Sequence, residues 1–162
     1  MKIIIPITFI VFLVACNQKQ DRMASLEHQI DSLGKRIDSA FAPGLGEFMV
    51  SIQLHHAKLW FAGRNGNWEL ANFELGEIRE DLDGIQRHNK DRPEVRDLAM
   101  IFSPLDSVQS AIGQKDQVAF NRGFIFLTNT CNNCHQVTKH GFNKIKIPDS
   151  PPVTNQVFEK VQ

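Results

Sequence analysis

The chain has 162 residues, and its 18 Lys and Arg balance its 18 Asp and Glu, so the formal net charge is zero. That balance offers no bulk attraction for nucleic acid or for an acidic substrate, and we expect no nucleic-acid partner. Hydrophobic residues make up 42% of the chain, which suits one folded domain of ordinary size.

Residues 1–15 are predicted to be an export signal. Lys2 supplies the positive start, and the apolar stretch from Ile3 to Val14 is shorter than the about 20 residues that a membrane span needs. The stretch ends in Leu13-Val14-Ala15-Cys16, which resembles the lipobox of bacterial lipoproteins. That resemblance implies cleavage before Cys16 and a diacylglycerol on its thiol. We therefore expect an extracytoplasmic, membrane-anchored lipoprotein, on the periplasmic side or at the cell surface. An ordinary secretory signal with an unmodified Cys16 is the alternative.

Residues 16–42 are predicted to form a polar tether followed by a first helix. An apolar stripe recurs there at alternating spacings of four and three residues, at Leu26, Ile30, Leu33, Ile37 and Ala40. This spacing is typical of a coiled coil or of a helix that packs on a neighbour. The sequence Ala42-Pro43-Gly44 then predicts the end of the helix.

Residues 43–141 are predicted to form four helices with short connections. The helices are expected from Leu45 to Ala62, from Trp68 to Arg87, from Pro93 to Gly113 with a kink at Pro104, and from a cap at Asp116 towards a stop at Gly141. Apolar residues recur along each of them at helical spacing. The predicted fold class is all-α: an antiparallel up-down four-helix bundle with an extra N-terminal helix.

Residues 142–162 are predicted to be an extended tail. Three prolines, Pro148, Pro151 and Pro152, exclude a regular helix through this stretch. We expect the tail to lie along the bundle.

The sequence Cys131-Asn132-Asn133-Cys134-His135 has the C-x-x-C-H spacing of covalent haem c attachment. In such a site two thiols add to the two vinyl groups of the porphyrin, and the adjacent His supplies an axial nitrogen to the iron. The chain has three cysteines, so lipid on Cys16 and haem on the other two leave no thiol over. A redox-active disulfide and a zinc site are the alternatives. A redox-active disulfide usually accompanies βαβ patterns, which this chain lacks. A zinc site needs about four ligands, and the chain has no second Cys pair.

A C-x-x-C-H motif near the end of the last helix of a four-helix bundle resembles the cytochrome c′ class, including its low-spin relatives. The resemblance covers roughly residues 44 to 140 and implies that His135 is the proximal ligand and that Cys131 and Cys134 carry the thioethers. It also implies that haem-contacting residues lie on the first helix of the bundle, the one that starts near Leu45.

Three residues of that helix are candidates for the sixth iron ligand. His56 lies near the centre of the apolar face, Met49 lies one heptad earlier on the same stripe, and His55 lies towards its side. His and Met ligands give different potentials, and Met raises the potential. A His or a Met on such a face is also a common core residue, and an open five-coordinate iron is the remaining alternative.

The predicted function is a monohaem c-type cytochrome for electron transfer outside the cytoplasm. The alternative is a haem protein that binds a gas such as NO or CO, in the manner of the cytochromes c′. In that class the distal position is typically apolar, and the His residues here favour a six-coordinate carrier. We expect no enzyme, although weak peroxidase activity is a third hypothesis. The expected partners are a redox protein, a membrane through the lipid and, by analogy with the class, a second copy in a homodimer.

Overall fold

The structure is a computed structural model that describes residues 22–37, 40 and 43–160, and the regular secondary structure in these ranges is helical, without any β-strand. The prediction of an all-α protein is confirmed. The predicted signal peptide and Cys16 lie outside the described residues. None of the helices in the described ranges is both long enough and apolar enough to cross a membrane.

The chain divides after Ala42 into two units. In the first unit residues 22–37 form helix α1. The large apolar side chains of α1 are exposed. The second unit begins at Pro43 and contains the remaining helices.

Helices α2 (Leu45–Arg64) and α3 (Trp68–His88) agree with the predicted helices to within two residues at each end. The Glu47 side chain accepts a hydrogen bond from the Gly44 backbone N–H at 2.8 Å, which caps the start of α2. Gly66, with a φ of +67°, makes the left-handed turn after α2. The Asn67 side chain then caps α3 by accepting from the Leu70 N–H at 3.2 Å.

The next helical stretch differs from the prediction. A single helix kinked at Pro104 was expected, but residues Pro93–Ile101 form a 3₁₀ helix and α4 covers Phe102–Gln114. Pro104 thus lies in the first turn of α4. Backbone N–H groups in a first turn make no intrahelical hydrogen bond, so proline fits there without a kink. Pro93 opens the 3₁₀ helix, in agreement with its predicted place in a first turn.

Helix α5 (Gln117–Val137) begins at the predicted cap, because the Asp116 carboxylate accepts hydrogen bonds from the Val118 and Ala119 N–H groups at 2.9 and 3.0 Å. It ends at Val137, four residues before the predicted stop at Gly141. Lys139 has a φ of +65°, so the chain turns away directly after the haem motif.

Helix α2 packs mainly on α3, and α4 packs mainly on α5. Contacts of α3 with α4 and of α2 with α5 join the two pairs around one core. Its largest fully buried side chains include Phe120 and Phe124 of α5, Leu59 of α2 and Leu75 of α3. The start of α2 and the end of α5 are thereby brought together, and the candidate site lies there.

Residues 143–160 have no regular helix or strand. Phe158 is buried and its ring lies 5.8 Å from that of Phe61 on α2. The Asn67 side chain donates a hydrogen bond to the Glu159 carbonyl at 3.1 Å. These contacts hold the tail at the α2–α3 turn. Hydrogen bonds between the Asn132 side chain and the Ile145 backbone hold it at the C-x-x-C-H motif as well.

Candidate haem site

A cavity of about 330 Å³ lies between the first half of α2, the 3₁₀ helix and the end of α5. Its apolar lining comes from Leu45, Met49, Ile52, Val95 and Leu98, among others. Cys131, Cys134 and His135 line the same cavity, and His56 faces them from α2. The volume falls within the roughly 300–1,000 Å³ range of small-molecule and cofactor sites.

The two cysteines of the motif are free thiols on one face of α5. The pKa of Cys131 is raised to about 12, mainly by burial, with the neighbouring Cys134 contributing. Burial also raises the pKa of Cys134, with Asp97 contributing. Both groups are thus protonated thiols at neutral pH. Because thiol–disulfide exchange needs a thiolate with a lowered pKa, this environment does not favour the redox-disulfide alternative.

His135 is held in one orientation by the turn that follows α5. Its Nδ1 lies 2.6 Å from the Asn143 carbonyl oxygen, which only accepts hydrogen bonds, so Nδ1 carries the proton. The Nε2 lone pair is therefore left for a metal. Histidine ligands in proteins typically donate their second N–H to a carbonyl or carboxylate in this manner, which fixes the tautomer and orients the ring.

His56 is 3% exposed, and burial lowers its pKa to about 4. The imidazole is neutral at physiological pH, which is the form that binds metals. Its ring packs on Phe124 with 4.4 Å between centroids. The Thr128 hydroxyl donates to the Phe124 carbonyl at 2.9 Å and lies 2.9 Å from His56 Nε2, so the imidazole donates from Nε2. The lone pair is then on Nδ1.

The other two candidate ligands lie in different environments. Met49 is half-buried and lines the cavity, one heptad before His56. His55 instead faces α3, where its Nδ1 lies 2.7 Å from an oxygen of the fully buried Glu74. Lys58 lies 3.6 Å from the other oxygen of that carboxylate. The structure thus brings His56 and Met49 to the haem motif and pairs His55 with Glu74.

The rim of the cavity is polar. The Arg92 guanidinium donates to both carboxylate oxygens of Glu94 at 3.1 and 3.4 Å. The pKa of Glu94 is lowered, first by a backbone hydrogen bond and then by Arg92, with a smaller contribution from His140. Because α5 ends at Val137, four residues before the predicted stop at Gly141, His140 lies beyond the helix and lines the cavity.

Three residues of this site were not identified from the sequence. Thr128 precedes Cys131 by three positions and His135 by seven, a spacing that puts it on the haem-motif face of α5 and would have allowed its identification. Asn132, inside the motif, exchanges two hydrogen bonds of 2.8 Å with the backbone of Ile145. Asn143 contributes only its carbonyl, which any residue has, so no sequence signal marks it.

The donor set fits a haem c group. Two thiols, the His135 imidazole with a fixed tautomer and the neutral imidazole of His56 border one largely apolar cavity. Searches against protein-family models, curated proteins and solved structures found no match to this chain.

Proposed function

We propose that this protein is a monohaem c-type cytochrome that transfers electrons outside the cytoplasm. The observation that supports it most is the single cavity shared by the C-x-x-C-H residues of α5 and by His56 and Met49 of α2. When bound there, haem c would supply an iron that exchanges one electron between its ferrous and ferric states.

Cys131 and Cys134 are the proposed attachment residues. Each sulfur would bond to one carbon of a vinyl group and the thiol proton would go to the other carbon, so no oxidant would be consumed. His135 is the proposed proximal ligand through Nε2. Its hydrogen bond to the Asn143 carbonyl holds the ring in place and raises its basicity.

His56 is the proposed distal ligand. Burial keeps it neutral, and Thr128 with Phe124 restricts its orientation. With Nε2 donating to Thr128, the nitrogen with a free lone pair is Nδ1. Met49 is the alternative ligand. The polar rim, with Arg92 and His140, is the part of the cavity suited to the haem propionates.

The proposed architecture is an antiparallel four-helix bundle of α2, α3, α4 and α5 that resembles the cytochrome c′ class. The packing of α2 on α3 and of α4 on α5, together with short connections, supports it. The proposed location is extracytoplasmic, on the periplasmic side of a membrane or at the cell surface, with lipid on Cys16 as the anchor. A redox protein is the proposed partner.

Gas binding is the second candidate, and one observation favours it. His56 already has a hydrogen-bond partner in Thr128 and a ring contact in Phe124. An imidazole held there without binding the iron would leave an open position beside an apolar wall, where NO or CO would bind.

Visible spectra of the purified protein separate these functions. We expect low-spin, six-coordinate bands that CO does not change, and haem that stays with the protein in acid acetone. The variant Cys131→Ala with Cys134→Ala is the control and should contain no covalent haem. Haem that extracts freely from the wild-type protein would refute the attachment, and high-spin bands that shift with CO would favour gas binding.

A further inference from the structure

Helix α1 presents an apolar stripe that is exposed along its whole length. Met23, Leu26, Ile30, Leu33 and Ile37 are each between 45% and 66% exposed. They follow one another at spacings of three and four residues, so they share one face of the helix. The rest of α1 is polar apart from small residues.

An isolated helix of about four turns is marginal in water, and most helices in proteins gain their stability by burying an apolar face. Gly34, within α1, weakens the isolated helix further, because glycine has a lower helix propensity than alanine. The face of α1 therefore needs a partner surface of matching length and spacing.

The order of residue types on the stripe indicates what that partner is. In a heptad assignment Met23, Ile30 and Ile37 occupy the a positions, and Leu26 and Leu33 occupy the d positions. A β-branched residue at a with Leu at d favours parallel two-stranded coiled coils. The stripe thus matches a second helix of its own kind.

Charged residues beside the stripe agree with the same geometry. Arg22 occupies a g position and Glu27 occupies the following e position. In a parallel, in-register dimer each g residue faces the e residue five positions later on the other chain, so Arg22 of each copy meets Glu27 of the other. In an antiparallel dimer g faces g and e faces e, so these two residues would not meet.

We propose that α1 is a homodimerisation element that forms a parallel, in-register, two-stranded coiled coil with α1 of a second copy. The occupant of the stripe is the same chain, selected by the Ile and Leu positions and by the two Arg22–Glu27 pairs. The inference depends on neither haem binding nor lipid attachment.

Disulfide trapping in the full-length protein, in whole lysates of the producing cells, tests the register. A disulfide needs Cα atoms within about 7 Å, which a d position meets in a parallel dimer. Leu33→Cys should give a non-reducing gel band at twice the chain mass, and the outward-facing control Lys35→Cys should give several-fold less. Equal trapping at both positions, or a mixed disulfide of Leu33→Cys with another protein, would overturn the proposal.

A charge exchange tests the partner without altering the apolar face. Arg22→Glu alone or Glu27→Arg alone places like charges opposite each other, and sedimentation of the detergent-solubilised protein should show a dimer dissociation constant raised roughly tenfold. Mixing the two variants restores both opposite-charge pairs and should return the constant towards that of the wild type. A monomeric wild type, or variants that dimerise equally well alone and mixed, would overturn the proposal.

Discussion

His135 and His56 border one cavity, but their ring nitrogens have different hydrogen-bond partners. His135 uses Nδ1 for the Asn143 carbonyl, whereas His56 uses Nε2 for Thr128. The free lone pairs are therefore on Nε2 of His135 and on Nδ1 of His56. This difference gives the two imidazoles separate, testable roles at an iron.

His56→Ala should convert a low-spin spectrum to a high-spin one and let CO bind, because the variant lacks the proposed distal nitrogen. His55→Ala is the matched control, since His55 faces Glu74 instead of the cavity. Absorption spectra with and without CO measure both. If the His56 variant stays low-spin while Met49→Ala does not, Met49 is the ligand and a higher potential is expected.

Thr128→Val should leave the protein low-spin, but imidazole or CO should displace His56 from the iron at a lower concentration than in the wild type. The substitution removes the acceptor that holds His56 Nε2–H while keeping the side-chain size. Titration with imidazole or CO measures the change. An unchanged affinity would mean that the Thr128 contact does not position the distal imidazole.

The stability of the fold should decrease as the pH is lowered from 6.5 towards 4. In the folded protein His56 stays neutral down to a pKa of about 4, whereas in the unfolded chain it takes up a proton near its ordinary value of 6.5. Between these values the unfolded state binds more protons, so acid favours unfolding, with a limit on the order of 3 kcal/mol. Above pH 6.5 this contribution no longer changes.

Urea denaturation at pH 7, 6 and 5 measures that slope, and His56→Gln is the comparison. The variant should be less stable at pH 7 but should lose less stability on acidification. Parallel pH profiles of the two proteins would contradict a buried neutral His56.

At the level of elements, a glycine sets the close approach of α2 and α5. A methyl group placed on Gly63 would overlap the ring of Phe120, which is fully buried. Gly76 on α3, by contrast, has open space around it. The two positions therefore separate a packing effect from a helix-propensity effect.

Gly63→Ala should destabilise the protein by about 1–3 kcal/mol, because the added methyl group overlaps the fully buried Phe120 ring, which must shift within the core. Gly76→Ala should stabilise it by about 0.5–1 kcal/mol, since alanine favours the helix. Thermal unfolding followed by circular dichroism measures both. Equal changes of the same sign would show that packing at Gly63 is not the limiting contact.

For the whole molecule, the proposed lipid on Cys16 decides where the electrons are delivered. Cys16→Ser should move the protein from the membrane fraction to the soluble fraction or block its processing, since the diacylglycerol provides the two chains that stable anchoring needs. Fractionation and the mass of the N-terminal peptide measure this. A soluble wild-type protein with an unmodified thiol would contradict the anchor.

The sequence by itself was sufficient to predict the all-α fold, the bounds of α2 and α3, and the cap at Asp116. It also predicted which residues would converge, since Cys131, Cys134, His135 and His56 do border one cavity. The fold class, the helix bounds and the cap depend on local spacing, since helical periodicity, capping side chains and a five-residue motif are readable over one or two turns. The place of His56 beside the motif was instead implied by the resemblance to the cytochrome c′ class.

Only the tertiary structure decided the rest. The end of α5 at Val137 turned His140 into the cavity, and the tail brought the Asn143 carbonyl to His135. His55 and His56 are adjacent in sequence but pair with partners on different helices: His55 with Glu74 on α3, and His56 with Thr128 on α5. Such contacts join residues far apart in the chain, and a backbone carbonyl or a partner across a helix interface leaves no local pattern in the sequence.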